Sequence, residues 1–168
     1  MQIGNILHKI GGEIMNAADV FLMMDHKYAL FGLFFAFHNR LQSVGDSFYD
    51  EITCKQFFLL ACMNLYLEEA PTANELAKTM GCSRQNVKEI LNSLEKKQLV
   101  RLAIDSKDKR KKRVYLTEQA QLMAKKYQQK ETEFLKYLFE GISDEEVDSA
   151  YNVISKIEEN LKRMEGKF

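Results

Sequence analysis

The chain is 168 residues long and 46% hydrophobic, with 24 basic and 24 acidic side chains and one proline. The length and apolar content fit one compact protomer with a buried core, while the zero formal net charge at first argues against a nucleic-acid partner. No basic start precedes an apolar segment, and the apolar run 28–37 is far short of the ~20 residues of a membrane span, so a cytosolic protein is expected.

Ile3, Ile6, Leu7, Ile10, Ile14, Ala18 and Phe21 recur at helical spacing, and the length of the stripe predicts a helix in contact with a partner. Met24-Asp25-His26-Lys27 interrupts it. A second helix is predicted with Tyr28, Phe31, Phe34, Phe35, His38, Leu41 and Val44, ending at Gly45. Thr53-Cys54-Lys55-Gln56 is a capping box, with Ile52 and Phe57 placed as its hydrophobic staple. It opens a third helix through Phe58, Leu59, Cys62 and Leu65, broken at Glu68-Glu69-Ala70-Pro71.

Thr72-Ala73-Asn74-Glu75 is a second capping box. The short helix it starts buries Leu76, Ala77 and Met80 and stops at Gly81, which takes a left-handed conformation at no Cβ penalty. Ser83 caps the next helix across the short Gly81-Cys82 junction, a helix-turn-helix signature. Val87, Ile90, Leu91 and Leu94 form one face of this helix, with Gln85, Lys88, Glu89, Asn92 and Lys96 opposite. Arg84, Gln85 and Asn86 occupy its first turn, where a recognition helix presents side chains to base edges: arginine suits guanine, and Asn or Gln suits adenine. The period then changes to two. Val100, Leu102 and Ile104 alternate with Arg101 and Ala103, and Val114 and Leu116 alternate with Arg113, Tyr115 and Thr117, predicting two strands joined by the basic tip 105–112. A charge run alone reads equally well as a solvated loop; beside a helix-turn-helix it reads as a wing.

These residues resemble the MarR (multiple antibiotic resistance regulator) winged-helix family. The likeness runs through Glu75-Leu76-Ala77, Ser83-Arg84-Gln85-Asn86-Val87, Leu94-Glu95-Lys96-Lys97, Leu99-Val100, Asp105, Asp108-Lys109-Arg110 and Val114-Tyr115-Leu116-Thr117-Glu118. Its most specific piece is the Asp-x-Arg of the wing followed at the right distance by Val-x-Leu-Thr. The resemblance implies that Arg110 enters the minor groove while Asp108 helps hold it. Ser83, Arg84, Gln85, Asn86, Lys88 and Lys112 complete the expected DNA-contacting set. Three positions depart from the family pattern: Gln98 stands where a glycine usually follows the recognition helix, Leu102 where an arginine usually sits in the first wing strand, and Ala120 where a glycine usually follows Leu-Thr-Glu-x.

Charge distribution answers the objection from net charge. From Arg84 to Arg113 there are eleven basic residues against four acidic, and from Glu131 to Phe168 ten acidic against five basic. Such segregation orients a protein on a polyanion. After the wing, Thr117 caps a long helix with Leu122, Met123, Tyr127, Phe134 and Leu138 on one side, ending at Gly141. Ser143-Asp144-Glu145-Glu146 is a third capping box, stapled by Ile142 and Val147. In the last helix Val147, Tyr151, Ile154, Ile157, Leu161 and Met164 make a seam for another helix, a pattern that core burial within one protomer also produces.

The expected fold is mostly α with a small β-hairpin wing, a winged helix-turn-helix plus a helical dimerisation region in one protomer over 1–168. Residues 1–46 and 142–168 form the dimerisation region, 53–117 the winged helix-turn-helix and 118–141 the connecting long helix. The expected function is a ligand-responsive transcriptional repressor acting as a homodimer on a pseudopalindromic double-stranded operator. The resemblance implies effectors, often aromatic acids or other lipophilic compounds, between the dimer helices and the winged unit. Phe34, His38 and Arg40 are the candidates to meet one.

Two alternatives belong to other classes. One is a winged-helix protein-interaction module without DNA binding. The other is a thiol-based redox sensor using Cys54, at a predicted helix N-terminus where a thiolate is favoured, and Cys82. The N-terminal stripe lacks the cysteine that peroxide-sensing relatives carry. No CxxC, HExxH, phosphate-binding Gly-rich loop or nucleophile elbow is present, and no enzyme, cofactor, metal or disulfide is expected.

Overall fold

The computed structural model describes residues 25–167. The helix predicted over Ile3–Phe21 lies outside them. Helix α1 (His26–Phe48) starts where the Asp25 carboxylate accepts the Lys27 amide at 2.8 Å. It does not end at Gly45, the expected stop. Gly45 stays helical and buried, and a Cβ there would lie 2.7 Å from Cys54 Sγ. The glycine therefore serves the close approach of two helices rather than a turn.

Helix α2 (Cys54–Met63) begins with both halves of its capping box made, Gln56 N–H to Thr53 Oγ1 and Thr53 N–H to Gln56 Oε1, each 3.2 Å. It ends one turn early: Asn64 is the cap, and Leu65, expected inside the helix, is exposed. Helix α3 (Ala73–Met80) keeps its capping box and closes on Gly81 at φ +63°. There Cys82 N–H donates to Ala77 O and Gly81 N–H to Lys78 O, so the orphan carbonyls of the last turn are satisfied. Helix α4 (Arg84–Lys96) follows directly, then strands β1 (Val100–Ile104) and β2 (Lys112–Leu116), which pair as a hairpin. A single antiparallel bridge, Thr72 to Arg113, attaches the chain before α3 to β2, with Val114 N–H donating to Pro71 O at 2.8 Å. Helices α5 (Glu118–Leu138) and α6 (Asp144–Met164) complete the described chain, capped by Thr117 and by the Ser143–Glu146 box.

Two compact units result. The first runs through Leu94 and takes in Leu102–Tyr115. Within it α2 packs on α1 and on α3, and Leu59, Leu60, Leu76, Val87, Leu91, Leu94 and Val114 are buried. The second comprises Glu95–Arg101 and Leu116 onward. Its buried side chains are Leu99, Val100, Ala120, Met123 and Tyr127. Leu122, expected on the buried side of α5, faces solvent, and α6 buries none of its side chains. Among the described residues no helix is long and apolar enough to cross a membrane.

Candidate nucleic-acid interface

The recognition face is made by local chemistry. Ser83 Oγ accepts the Asn86 amide at 3.2 Å and the Ser83 carbonyl accepts Val87 N–H at the same distance, so α4 starts directly after the turn. Val87, Leu91 and Leu94 then anchor one face. That leaves Arg84, Gln85, Asn86, Lys88 and Glu89 exposed on the other, as their spacing predicts. Ser83, counted among the contacting residues, is exposed and serves as the cap. Gln85 Nε2 donates to Glu89 Oε1 at 3.0 Å, one turn along.

The wing is held from its base. Asp105, buried between two hairpin strands, accepts the amides of Lys107 and Asp108 on Oδ1, each at 2.7 Å, while Oδ2 takes the Arg113 guanidinium. Asp105 N–H donates to Lys111 O at 3.0 Å, closing the loop. Arg113 also donates to Ala70 O at 2.6 Å and pairs with Glu69 at 2.8 Å. Its hydrogen bond from Arg113, then the two amides, hold the Asp105 carboxyl down at about 2. The same contact raises Arg113 further, so the pair stays ionised.

Above this base Asp108 Oδ1 accepts both the Arg110 amide and its Nε, each at 3.1 Å, and those two bonds depress the Asp108 carboxyl. The Arg110 side chain is 91% exposed. The arrangement joins the two residues the Asp-x-Arg motif singles out, with the guanidinium held by Nε on Oδ1 and, at 3.5 Å, by Nη2 on Oδ2. Lys112 lies exposed on β2, with Lys107, Lys109 and Lys111 exposed around the tip.

Arg113 departs from expectation. Alternation with Val114 predicts a solvent-facing side chain, yet only 9% of the residue is exposed. Burial is possible because Asp105, Glu69 and the Ala70 carbonyl satisfy the guanidinium together. The hairpin was the available signal, since it brings Asp105, one residue past β1, near Arg113 in β2. The Glu69 and Ala70 partners carry no local signal.

The other candidates are not drawn into this interface. Phe34 and His38 lie one turn apart on α1, Phe34 half-buried and His38 exposed, in contact with the Gln42 amide. Arg40, two residues on, sits about 200° around the helix from His38, so one helix does not converge the two on a common anion. Cys54 is half-buried, and burial followed by the Asp46 carboxylate raises its thiol, the opposite of the expected helix N-terminal effect. Asp46 is close because its carboxylate accepts the Cys54 amide at 2.7 Å. Cys82 is half-buried in the turn, and Cys62 is buried with its thiol also raised, chiefly by burial. Among the described residues no three His, Cys, Asp or Glu side chains cluster to hold a metal.

Residues 52–112 match the model of the MarR family. The fold is similar to that of a MarR/EmrR family transcriptional regulator from Acinetobacter sp. ADP1, with a TM-score of 0.73 at 18% identity over 84% of this chain and 100% of that one. It is similar to MepR of S. aureus, solved as a DNA complex, with a TM-score of 0.67 at 22% identity over 77% of this chain and 94% of that one. It is also similar to BpsR of Bordetella bronchiseptica, whose DNA binding is regulated by 6-hydroxynicotinic acid, with a TM-score of 0.67 at 17% identity over 76% of this chain and 91% of that one. At these identities the likeness is one of fold: a mostly helical winged helix with a two-stranded wing.

Proposed function

We propose that this chain, whose residues 52–112 match the model of the MarR family, is a sequence-specific DNA-binding transcriptional regulator, a cytoplasmic repressor acting as a homodimer on a pseudopalindromic operator. The observation that carries the reading is the pairing of two elements: an exposed Arg84-Gln85-Asn86 turn on a capped helix, and an exposed Arg110 gripped by Asp108 on an anchored wing. The helix supplies base-edge readout and the wing enters the neighbouring minor groove, while the surrounding lysines neutralise phosphates.

A second copy is favoured by α6, where Tyr151 is 71% and Ile154 52% exposed, with Leu161 and Met164 also open. Two recognition helices about one helical turn apart then read the two half-sites. An aromatic or lipophilic effector that prefers another spacing shifts the population off DNA by no more than that preference. The relative regulated by 6-hydroxynicotinic acid supports this ligand class. Phe34 and His38 are the α1 residues offered to it, and Arg40 must then meet it from elsewhere, such as the second copy. The reading is of a regulator, not an enzyme, and the raised Cys54 thiol gives a redox sensor no support.

Selection of genomic fragments by the purified protein, followed by titration at several salt concentrations, tests it. Binding should weaken steeply with salt, and Arg110→Ala should weaken it on operator and scrambled duplex alike while reducing the salt slope by about one. Tight, salt-insensitive capture of a protein with no duplex binding would favour the interaction module.

A further inference from the structure

We infer that Glu89 is a positioning residue that sets the base preference of the recognition helix by holding Gln85 for adenine. The inference rests on the DNA-binding reading above and assigns a role to a residue outside the contacting set. Glu89 lies exposed on α4 on the face that carries Arg84, Gln85 and Lys88. An acid facing DNA repels every phosphate, which lowers affinity for all duplexes alike, and the base it would read directly is cytosine, through the N4 amino group. Its partner changes that. The Glu89 carboxylate accepts one N–H of the Gln85 amide at 3.0 Å.

A glutamine amide has two N–H donors and one carbonyl acceptor. With one donor taken by Glu89, one donor and the acceptor remain. Adenine presents N7 as acceptor and the N6 amino group as donor in the major groove, so the remaining pair matches it bidentately. Guanine presents two acceptors, N7 and O6, and places O6 against either the Gln85 carbonyl or the Glu89 carboxylate. Holding the long Gln85 side chain also removes rotamer freedom before binding, so less is lost when the base contact forms. Glu89 thus acts through Gln85 on one base position.

Selection from a randomised half-site library by the full chain tests this, comparing wild type with Gln85→Ala, Glu89→Ala, Glu89→Gln and the Gln85→Ala/Glu89→Ala double variant. All these positions are exposed, so the fold is retained. Wild type should prefer adenine at one position, and Gln85→Ala should abolish that preference. Glu89→Ala should reduce it roughly 3- to 10-fold at that position alone, while tightening binding to scrambled duplex. Glu89→Gln keeps an acceptor for the Gln85 amide and should keep the preference, and the double variant should select like Gln85→Ala. Unchanged adenine preference in Glu89→Ala overturns the inference, as does a Glu89-dependent cytosine preference at a position Gln85→Ala leaves untouched. Absence of duplex binding by wild type overturns the DNA-binding reading, and this one with it.

Discussion

Gln56 on α2 donates from Nε2 to the Ser93 hydroxyl on α4 at 2.8 Å, across 37 positions of sequence. The same buried amide accepts the Thr53 N–H through Oε1. One side chain therefore completes the cap of α2 and ties that helix to the one carrying the recognition turn. A rigid mount of this kind is what base reading requires, because side chains must reach base edges within a fraction of an ångström.

Gln56→Ala should lower stability by about 1–3 kcal/mol, since it removes half a capping box and leaves Ser93 without this donor. Ser93→Ala should cost less, because the hydroxyl is only half-buried. Denaturant unfolding of both singles and the double gives the coupling, expected at about 0.5–1.5 kcal/mol. Strict additivity would show that the two helices are held by packing alone.

The wing base has a defined acid limit. Asp105 titrates at about 2 in the fold and near the ordinary ~3.9 when unfolded. Between these values the unfolded chain binds more protons, so stability rises with pH there. The contribution is complete above about pH 4 and is lost as pH falls through about 2. Asp105→Asn should be less stable than wild type at neutral pH and should lose less on acidification. Urea midpoints from pH 6 to pH 2 check this, and parallel curves for the two proteins would refute it.

Gln98 is the described non-glycine residue with positive φ, at +58°. It occupies the place where the family pattern has glycine, so the turn forms in the left-handed conformation despite a Cβ. Its carbonyl still accepts the Thr117 hydroxyl at 2.7 Å, a backbone contact that substitution leaves intact. A left-handed non-glycine residue costs roughly 1–2 kcal/mol, offset in part by the greater unfolded-state freedom of glycine. Gln98→Gly should therefore raise stability by up to about 1 kcal/mol, read as a higher Tm. A lower Tm would mean that the Gln98 side chain contributes more than its strained backbone costs.

Paired charges at Ile154→Glu and Leu161→Glu should yield a folded monomer. Both side chains are more than half exposed in the single chain, so their replacement removes no core. Affinity for a two-half-site operator should fall by one to two orders of magnitude through lost avidity, with half-site affinity unchanged. Sedimentation and operator titration measure both. A monomer that keeps full-site affinity would sever dimerisation from DNA binding.

Features whose causes lie within a few residues were legible in the sequence. The boxes at Thr53, Thr72 and Ser143 each close between residues three positions apart, the hydroxyl accepting one backbone amide and the Gln or Glu side chain accepting the other, and Gly81 ends its helix through its own backbone freedom. The recognition face follows from 3.6-residue periodicity, and the Asp108–Arg110 grip, which the family resemblance implies, joins two neighbours in one turn. What only the tertiary structure decided involves partners distant in sequence. Burying Arg113 needs Glu69 and Ala70, more than 40 positions away, as well as Asp105. Gly45 stays helical because Cys54 must approach it, the rise of the Cys54 thiol comes from burial and Asp46, and Gln56 reaches Ser93. Local pattern assigns each of those residues a face or a boundary; the desolvation and the fixed partner that override it exist only once the helices have packed.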